Sequence, residues 1–235
     1  MSAGGPPLGR PRLHLRSVGS TNQRARELAA GGAPHGALVT ADEQTAGRGR
    51  YGRRWMAPPG RALLMSLILR RWPRLLPLAA GVAVAEECGP GASVKWPNDV
   101  LVEGGKVAGI LAEGRPREGW IVLGVGLNVA LRREDLPVEV RTVAAGLGRP
   151  PELLEPSLAR LLDRLERWLT ASAGEILDAV RSRDALAGRE VSWEGGTGVA
   201  AGIDPEGRLL VDTAAGRRKL AAGEVHLGAP ARAPG

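Results

Sequence analysis

Residues Thr45 to Trp55 read TAGRGRYGRRW, so that four arginines and three glycines fall within eleven residues. The apolar segments GALVTAD and RALLMSLIL, which read as β-strands, flank this stretch. A segment so charged and so flexible cannot build a core, and it predicts a binding loop between two strands. Three interpretations are open: a dinucleotide-binding turn, an Arg-Gly tract that binds RNA, and a flexible clamp for a phosphorylated substrate.

The residues that follow this loop exclude the common nucleotide-binding folds. Gly47, Gly49 and Gly52 give a literal G-x-G-x-x-G, but a Rossmann motif must open a helix. Pro58-Pro59 forbids a helix there, and a strand comes next. A kinase would carry H-R-D and D-F-G further on, and a Walker A loop needs Ser or Thr after its lysine, whereas Val follows Gly105-Lys106. The clamp and the RNA-binding tract remain.

The composition bears on these two interpretations. The chain has 43% hydrophobic residues but no Phe and one Tyr, which predicts an aliphatic core. It carries 29 arginines, three lysines and a net charge of +7, which falls to +3 without the four loop arginines. Charge this concentrated argues against a general nucleic-acid surface. Arg-Gly tracts that bind RNA are usually repeated, whereas this copy is single, but the RNA-binding module stays an alternative.

The cysteine count and the apolar runs predict the compartment. Cys88 is the only cysteine, so no intramolecular disulfide can form, and a reducing compartment fits. The first residues have no apolar core typical of a signal peptide. The longest apolar run, Leu75 to Ala85, is too short to span a bilayer. We therefore predict a cytoplasmic protein without a membrane partner.

The composition and the order of strand-like and helix-like segments predict two domains with short flexible ends. Residues 1–10 and 229–235 are rich in Gly and Pro and are predicted to be disordered. Residues 11–185 alternate strand-like and helix-like segments and form the larger predicted domain. From Ala187 onward short alternating runs are broken by EGG, DPEG and AAG turns, which predicts a small β-barrel over 186–228.

Two further motifs combine polar residues with a turn or a helix start. The segment KWPNDV, Lys95 to Val100, predicts a turn fixed by its proline, with Asn-Asp where the strand resumes. An ordinary polar turn would read the same way. Ser20-Thr21-Asn22 opens a predicted helix, where capping alone would explain the three residues.

Two other motifs lie in apolar strands. Lys106 leads into KVAGIL, where a lysine is usually an edge residue. This chain has replaced nearly every lysine by arginine, however, so its retention predicts that a compact ammonium is needed. The segment GVGLNV, Gly124 to Val129, puts two glycines in a buried strand, which predicts either a bulge or a close approach to the backbone.

The sequence offers little for metal or covalent catalysis. The three histidines, His14, His35 and His226, lie far apart and lack ligand spacing, so we expect no metal site. No G-x-S-x-G elbow and no Cys-His pair supports a covalent intermediate. We expect catalysis to depend on positioning and electrostatics.

Taken in order, these motifs resemble those of the biotin–protein ligase family, the biotin–[acetyl-CoA-carboxylase] ligases. The ordered set is STN, QTAGRGRYGRRW, KWPNDV, Lys106 with AGIL, and GVGLN, over roughly residues 12–130, with GEV (Gly223 to Val225) behind it. Each motif alone is unspecific, but the ordered set is highly specific. Lipoate ligases share the fold and carry a different glycine-rich signature.

The resemblance implies an α+β catalytic domain with a mixed sheet, similar to class II aminoacyl-tRNA synthetases, followed by an SH3-like β-barrel. It implies biotinylation of a lysine on a biotin carboxyl carrier protein through biotinyl-5′-AMP, with ATP and Mg²⁺ as co-substrate. Only about ten residues precede the first strand, so we expect the monofunctional type, without a DNA-binding domain or a specific DNA partner. The RNA-binding module and a lipoate or octanoate ligase are the alternatives.

The resemblance also implies roles for individual residues, with the loop as a lid that closes over an acyl-adenylate. The implied catalytic residues are Lys106, Arg48, Arg50 and Asp99, of which the last orients the acceptor lysine. The implied biotin-binding residues are Ser20, Thr21, Asn22, Gln44, Gly47, Arg48, Gly49, Arg50, Lys106, Gly109 and Gly124. The implied ATP-binding residues are Arg50, Arg53, Trp55, Asn98 and Asn128, with the indole stacked on adenine.

Overall fold

The computed structural model describes residues 7–227 except 136, 137, 139, 140, 142 and 222. The helices are α1 (Thr21–Ala30), α2 (Leu76–Cys88), α3 (Leu154–Thr170) and α4 (Ala173–Arg181). The strands are β1 (Arg12–Val18), β2 (Leu38–Gln44), β3 (Leu63–Leu69), β4 (Ala92–Lys95), β5 (Asp99–Val102), β6 (Gly105–Arg115), β7 (Trp120–Leu127), β8 (Glu190–Trp193), β9 (Gly196–Ile203), β10 (Leu209–Thr213), β11 (Gly216–Leu220) and β12 (Val225–Leu227).

Residues 7–10 were included in the predicted disordered N-terminus, but they form a turn against the domain. The backbone N–H of Gly9 donates to Gly36 O at 2.8 Å, and Gly9 is buried against Leu162. Its φ of +91° is one that glycine adopts without strain. The prediction of disorder is therefore wrong for these four residues. Its remaining parts, 1–6 and 229–235, lie outside the described residues.

Seven strands form one mixed sheet in the order β1-β2-β3-β7-β6-β5-β4. The pair β1–β2 is parallel and every other pair is antiparallel. The central strand β3, LLMSLIL, is buried at all seven positions. A strand with this pattern must be covered on both faces.

The two faces of the sheet are covered by different helices. On one face α1 packs over β2, β3 and β7, where Ala25, Val39, Ile68 and Val122 form a small apolar cluster. On the other face α2 packs over β4 to β6, with α3 and α4 outside it. The large cluster on the α2 side contains the alternate strand residues, for example Leu67 and Leu123. The core therefore lies mainly on the α2 side.

On the face of β7 that points towards α1, the residues change from apolar side chains to glycines along the strand. Val122 packs under α1, but the next two positions on this face are Gly124 and Gly126. Gly126 is paired with Gly109 of β6. The sheet surface beside the start of α1 is therefore bare backbone, which leaves room for a cavity.

Five antiparallel strands form a second, smaller sheet in the order β11-β10-β9-β8-β12. Its inner residues, among them Val191 and Leu209, join the same apolar cluster as α2. Between α4 and β8 the chain pairs with the edge strand β4, since Asp184 and Val94 form a parallel bridge. The predicted domain limits, with a boundary at 185/186, stay a prediction, because one core runs through both sheets.

No helix among the described residues is long and apolar enough to cross a membrane.

Candidate active site

An open cavity lies on the bare face of β6 and β7, bounded by α1, the loop Thr45–Trp55 and the start of β12; with the solvent at its mouth it holds about 830 Å³ of empty space. Most of the predicted site residues line it. They are Ser20, Thr21, Asn22, Gln44, Arg48, Gly49, Arg50, Arg53, Trp55, Asn98, Asp99, Lys106, Gly109 and Gly124. Segments that are up to 100 residues apart in sequence therefore meet at one place.

A buried hydrogen-bond network forms the inner end of the cavity. Gln44 Oε1 accepts from the backbone N–H and the hydroxyl of Thr21, at 2.7 and 3.0 Å. Ser66 Oγ lies 2.9 Å from Thr21 Oγ1 and 2.6 Å from Asn22 Oδ1. Asn22 Nδ2 in turn donates to Glu113 Oε2 at 2.9 Å. The network fixes the amide and hydroxyl groups that face the cavity before any ligand arrives.

The glycines of β6 and β7 are explained by side chains that lie directly on them. A Cβ at position 124 would come within 2.1 Å of Asn22 Oδ1. A Cβ at position 126 would come within 2.4 Å of the Trp55 indole, and one at position 109 within 3.1 Å. The close approach predicted from the sequence therefore involves the protein's own side chains, Asn22 and Trp55.

The loop Thr45–Trp55 is folded over the cavity and held at three points. Arg48 Nη2 donates to Gln23 Oε1 at 3.0 Å, beside the start of α1. Arg50 Nη1 donates to Asn98 Oδ1 at 2.9 Å, in the turn between β4 and β5. Arg53 forms an ion pair with Glu224, which precedes β12. The loop is thus attached both to the seven-stranded sheet and to the segment that leads into β12 of the second sheet.

Lys106 and Asp99 form the charged centre of the cavity. Lys106 Nζ lies 2.7 Å from Asp99 Oδ1, and 5.8 Å from the centre of the Trp55 ring. The contact is a close ion pair that buries Asp99 Oδ1, while 19% of the Asp99 side chain stays exposed. The exposed part of the carboxylate therefore offers an acceptor for an incoming donor.

Two predicted site residues lie outside the lining of this cavity. Gly47 is covered by the loop, where a Cβ would come within 2.4 Å of the Trp55 carbonyl oxygen. Asn128 follows β7 and donates through Nδ2 to Ala145 O at 2.8 Å. Its Oδ1 is buried without a partner among the described residues. Asn128 therefore holds the neighbouring segment in place, and its side chain is buried outside the cavity lining.

Sequence reasoning missed four polar residues that the fold brings to the site: Ser66, Lys95, Glu113 and Glu224. Ser66 is the one polar residue in the run LLMSLIL, and this exception was a usable signal. Glu224 lies in the GEV motif, and Lys95 is one of only three lysines. Glu113 carried no signal, because an acidic residue late in a strand is ordinary.

Among the residues that the structure describes, no group of three His, Cys, Asp or Glu side chains is placed to hold a metal ion.

The fold matches that of the biotin/lipoate class of ligases. Residues 15–128 match the family model described as Biotin/lipoate A/B protein ligase family, and residues 188–228 match Biotin protein ligase C terminal domain. The solved structure of the biotin protein ligase from Aquifex aeolicus in complex with biotin and ATP is similar, with a TM-score of 0.77 and 29% identity. The alignment covers 93% of this chain and 99% of that one.

Two bacterial relatives narrow this class. The biotin--[acetyl-CoA-carboxylase] ligase of Mycobacterium tuberculosis is 37% identical over 90% of this chain and 86% of its own length. The enzyme of the same name from Paracoccus denitrificans is 36% identical, over 91% of this chain and 99% of its own. The chain belongs to the biotin protein ligase family. The predicted fold class, an α+β ligase domain followed by a small β domain, is confirmed.

Proposed function

We propose that this protein is an ATP-dependent biotin–[acetyl-CoA-carboxylase] ligase. It joins biotin to ATP to form biotinyl-5′-AMP and pyrophosphate, and it then transfers the biotinyl group to a lysine of a biotin carboxyl carrier protein, with release of AMP. The observation that carries the proposal is the Lys106–Asp99 pair in a cavity closed by an arginine loop. That pair supplies a point charge for the first step and an acceptor for the second.

The inner network suits the ureido ring of biotin. A ureido group offers one carbonyl acceptor and two N–H donors, and the network presents hydroxyl and amide groups that can meet both kinds. Thr21 and Asn22 face the ring directly in this arrangement, with Gln44 behind them. Ser66 and Glu113 hold the two facing side chains in place.

The Trp55 indole then lies against the acyl chain of biotin. It covers Gly126 and Gly109, between the inner network and Lys106. The prediction that Trp55 stacks on adenine stays a prediction. The position of the indole favours contact with the acyl chain of biotin instead. Arg53 and Asn98 line the outer part of the cavity, where the nucleotide has to lie.

The first step needs positive charge where the biotin carboxylate attacks the α-phosphorus of ATP. Arg48 and Arg50 reach the cavity from the loop, and Lys106 reaches it from β6. Guanidinium groups bind carboxylate and phosphate through two parallel hydrogen bonds, and the lysine adds a compact charge between them. Such preorganised charge stabilises the transition state without any covalent intermediate on the protein. Mg²⁺ enters with ATP as part of the substrate.

The second step needs an acceptor for the attacking lysine of the carrier protein. Asp99 Oδ1 is buried against Lys106, but the carboxylate as a whole is still partly exposed to the cavity. We assign this carboxylate to orient the incoming amine by accepting its N–H, next to the acyl group whose oxygen Lys106 contacts. The cytoplasmic location predicted from the single cysteine stays a prediction.

The direct test is incubation of the protein with biotin, MgATP and a biotin-carrier domain. We expect pyrophosphate release only when biotin is present, and a carrier mass that rises by one biotin on one lysine. Lipoate and octanoate serve as competing substrates, and preference for either would leave only the wider ligase class. An oligonucleotide that binds in a salt-dependent way, without carrier labelling, would favour the RNA-binding alternative.

Closure of the loop makes a second prediction. We expect trypsin to cut within residues 46–55 of the empty protein and to be blocked once biotinyl-5′-AMP has formed. The three contacts that hold the loop in this structure use exposed or half-buried arginines, which stabilise it weakly. A Gly-rich loop held so weakly opens readily until the adenylate adds further charge-assisted contacts. Cleavage at Arg117, in the exposed β6–β7 turn, is the internal control. Equal cleavage of the loop with and without substrates would show that it is not a lid.

A further inference from the structure

Lys95 is a cation of the cavity that the reaction described above does not use. It ends β4, directly before the turn that carries Asn98, and it lines the cavity. The chain has 29 arginines and three lysines, and two of those three lysines line this one cavity. At most positions this chain meets a need for positive charge with arginine, so Lys95 occupies a position where a compact ammonium is used instead.

The register of the sheet places Lys95 in a single row with the rest of the site. Lys95 is paired with Asp99, Asp99 with Gly109, and Gly109 with Gly126. Paired residues project to the same face, and neighbouring strands are about 4.8 Å apart. Lys95 therefore lies about 10 Å beyond Gly109, on the far side of Asp99 from the inner network.

The other charges around Lys95 are already matched. Asp99 is paired with Lys106, and Glu224 is paired with Arg53. The Lys95 ammonium has no hydrogen bond and no ion pair within 4.0 Å among the described residues. Burial lowers the pKa of Lys95, and the carboxylate of Asp99 only partly offsets this effect. A half-buried cation without a partner, facing a cavity, is a place for an anion.

We propose that Lys95 binds the leaving pyrophosphate of the first step. The proposal rests on the proposed function and names a further residue for it. In that step the biotin carboxylate oxygen forms a bond to the α-phosphorus, and the bond from this phosphorus to the bridging oxygen breaks. The electron pair of that bond stays on pyrophosphate, whose negative charge grows as it leaves. With the α-phosphate at Lys106, the β- and γ-phosphates extend along the row to Lys95.

This assignment predicts that loss of the Lys95 charge affects the two half-reactions differently. Pyrophosphate is absent from the transfer of biotin to the carrier, so Lys95 matters for the first half-reaction only. The variant Lys95→Met keeps the length of the side chain and removes its charge. We expect biotin-dependent pyrophosphate release to fall on the order of 100-fold. Transfer from supplied biotinyl-5′-AMP to the carrier should stay within about twofold of the unchanged protein.

The experiment times both half-reactions for Lys95→Met, Lys95→Arg and the control Lys219→Met, an exposed lysine of β11. Thermal unfolding of each variant is followed with and without inorganic pyrophosphate. We expect pyrophosphate to raise the midpoint of the unchanged protein and of Lys219→Met, but not that of Lys95→Met. Lys95→Arg should retain more adenylation than Lys95→Met, because it keeps a charge.

The proposal is overturned if transfer falls as much as adenylation, or if Lys95→Met leaves adenylation unchanged. It is also overturned if inorganic pyrophosphate stabilises Lys95→Met as well as the unchanged protein. Absence of biotin-dependent pyrophosphate release from the unchanged protein would instead contradict the proposed function. In that event the unfolding midpoints with inorganic pyrophosphate alone decide the role of Lys95.

Discussion

Glu87→Ala is expected to destabilise the protein by about 3 kcal/mol and to lower its unfolding midpoint by about 6–12 °C. Glu87 belongs to α2, and its side chain is fully buried. It accepts hydrogen bonds from Arg149 at 2.6 Å, Arg160 at 2.8 Å and Arg164 at 2.9 Å. Removing the carboxylate leaves three guanidinium groups facing one another without a counter-charge. Their side chains are 24–44% exposed, so water relieves part of the cost.

The pKa of Glu87 gives this prediction a dependence on pH. Burial by itself raises that pKa, but hydrogen bonds from Arg160 and Arg149 outweigh burial, and the net shift is downward. A carboxylate with a lowered pKa contributes stability above its unfolded pKa of about 4.3 and loses that contribution as pH falls. Glu87→Gln mimics the protonated acid. Its difference in unfolding free energy from the unchanged protein should therefore be largest near neutral pH and shrink in acid.

Urea unfolding, followed by tryptophan fluorescence at several pH values, measures both effects. Asp212→Ala is the matched control, because Asp212 forms an exposed ion pair with Arg217 on the second sheet. The control should leave the midpoint nearly unchanged, since exposed pairs contribute little. A Glu87→Ala protein as stable as the control would show that the three arginines have no need of a counter-charge.

The elements of the fold were largely predictable, because their patterns are local. β1 alternates apolar and polar residues, and Ser20 caps α1 by accepting from the backbone N–H of Gln23. β3 is apolar at six of its seven positions, a pattern typical of a strand that is covered on both faces. The order of the strands was not predictable in this way. It depends on pairings such as Leu64 with Gly126, which no local pattern encodes.

The site was predictable as a set of motifs but not as a network. The sequence predicted the loop and Lys106 because each breaks a local pattern, whereas Asp99 was predicted only through the family resemblance. It did not predict that Gly124 is needed for Asn22, or that Arg53 meets Glu224 from the second sheet. Those contacts join residues more than 100 positions apart. Asn128 was predicted to bind the nucleotide through its side-chain amide, but the Nδ2 group of that amide donates to the backbone carbonyl of Ala145.

Lys106→Arg is expected to lose most of the ligase activity, on the order of 10²–10³-fold, or about 3–4 kcal/mol of transition-state stabilisation. If positive charge alone mattered at position 106, arginine would serve, as it does almost everywhere else in this chain. Two reasons argue against arginine at position 106, and the first is its shape. An ammonium fits between two oxygens as a point charge, whereas a guanidinium is a broader plane. The Trp55 ring, whose centre lies 5.8 Å from Lys106 Nζ, limits the space for that plane.

The second reason concerns Asp99. Lys106 Nζ contacts one carboxylate oxygen of Asp99, Oδ1, at 2.7 Å, and the side chain of Asp99 stays 19% exposed. An arginine at position 106 would pair with the carboxylate through two parallel hydrogen bonds and occupy both oxygens. The incoming lysine of the carrier would then find no acceptor. The substitution should therefore slow the transfer step as well as adenylation, unlike Lys95→Met, which should slow adenylation alone.

The two half-reactions have to be timed separately to test this, with supplied biotinyl-5′-AMP for the second. Lys219→Arg, on the exposed strand β11, is the control and should leave both rates intact. Thermal unfolding of the variants with and without biotin plus ATP distinguishes lost binding from lost chemistry. Near-normal rates for Lys106→Arg in both half-reactions would show that this lysine is an ordinary edge residue of β6. The ion pair with Asp99 predicts a loss in both half-reactions. A loss in only one of them would contradict this prediction and confine the role of Lys106 to that step.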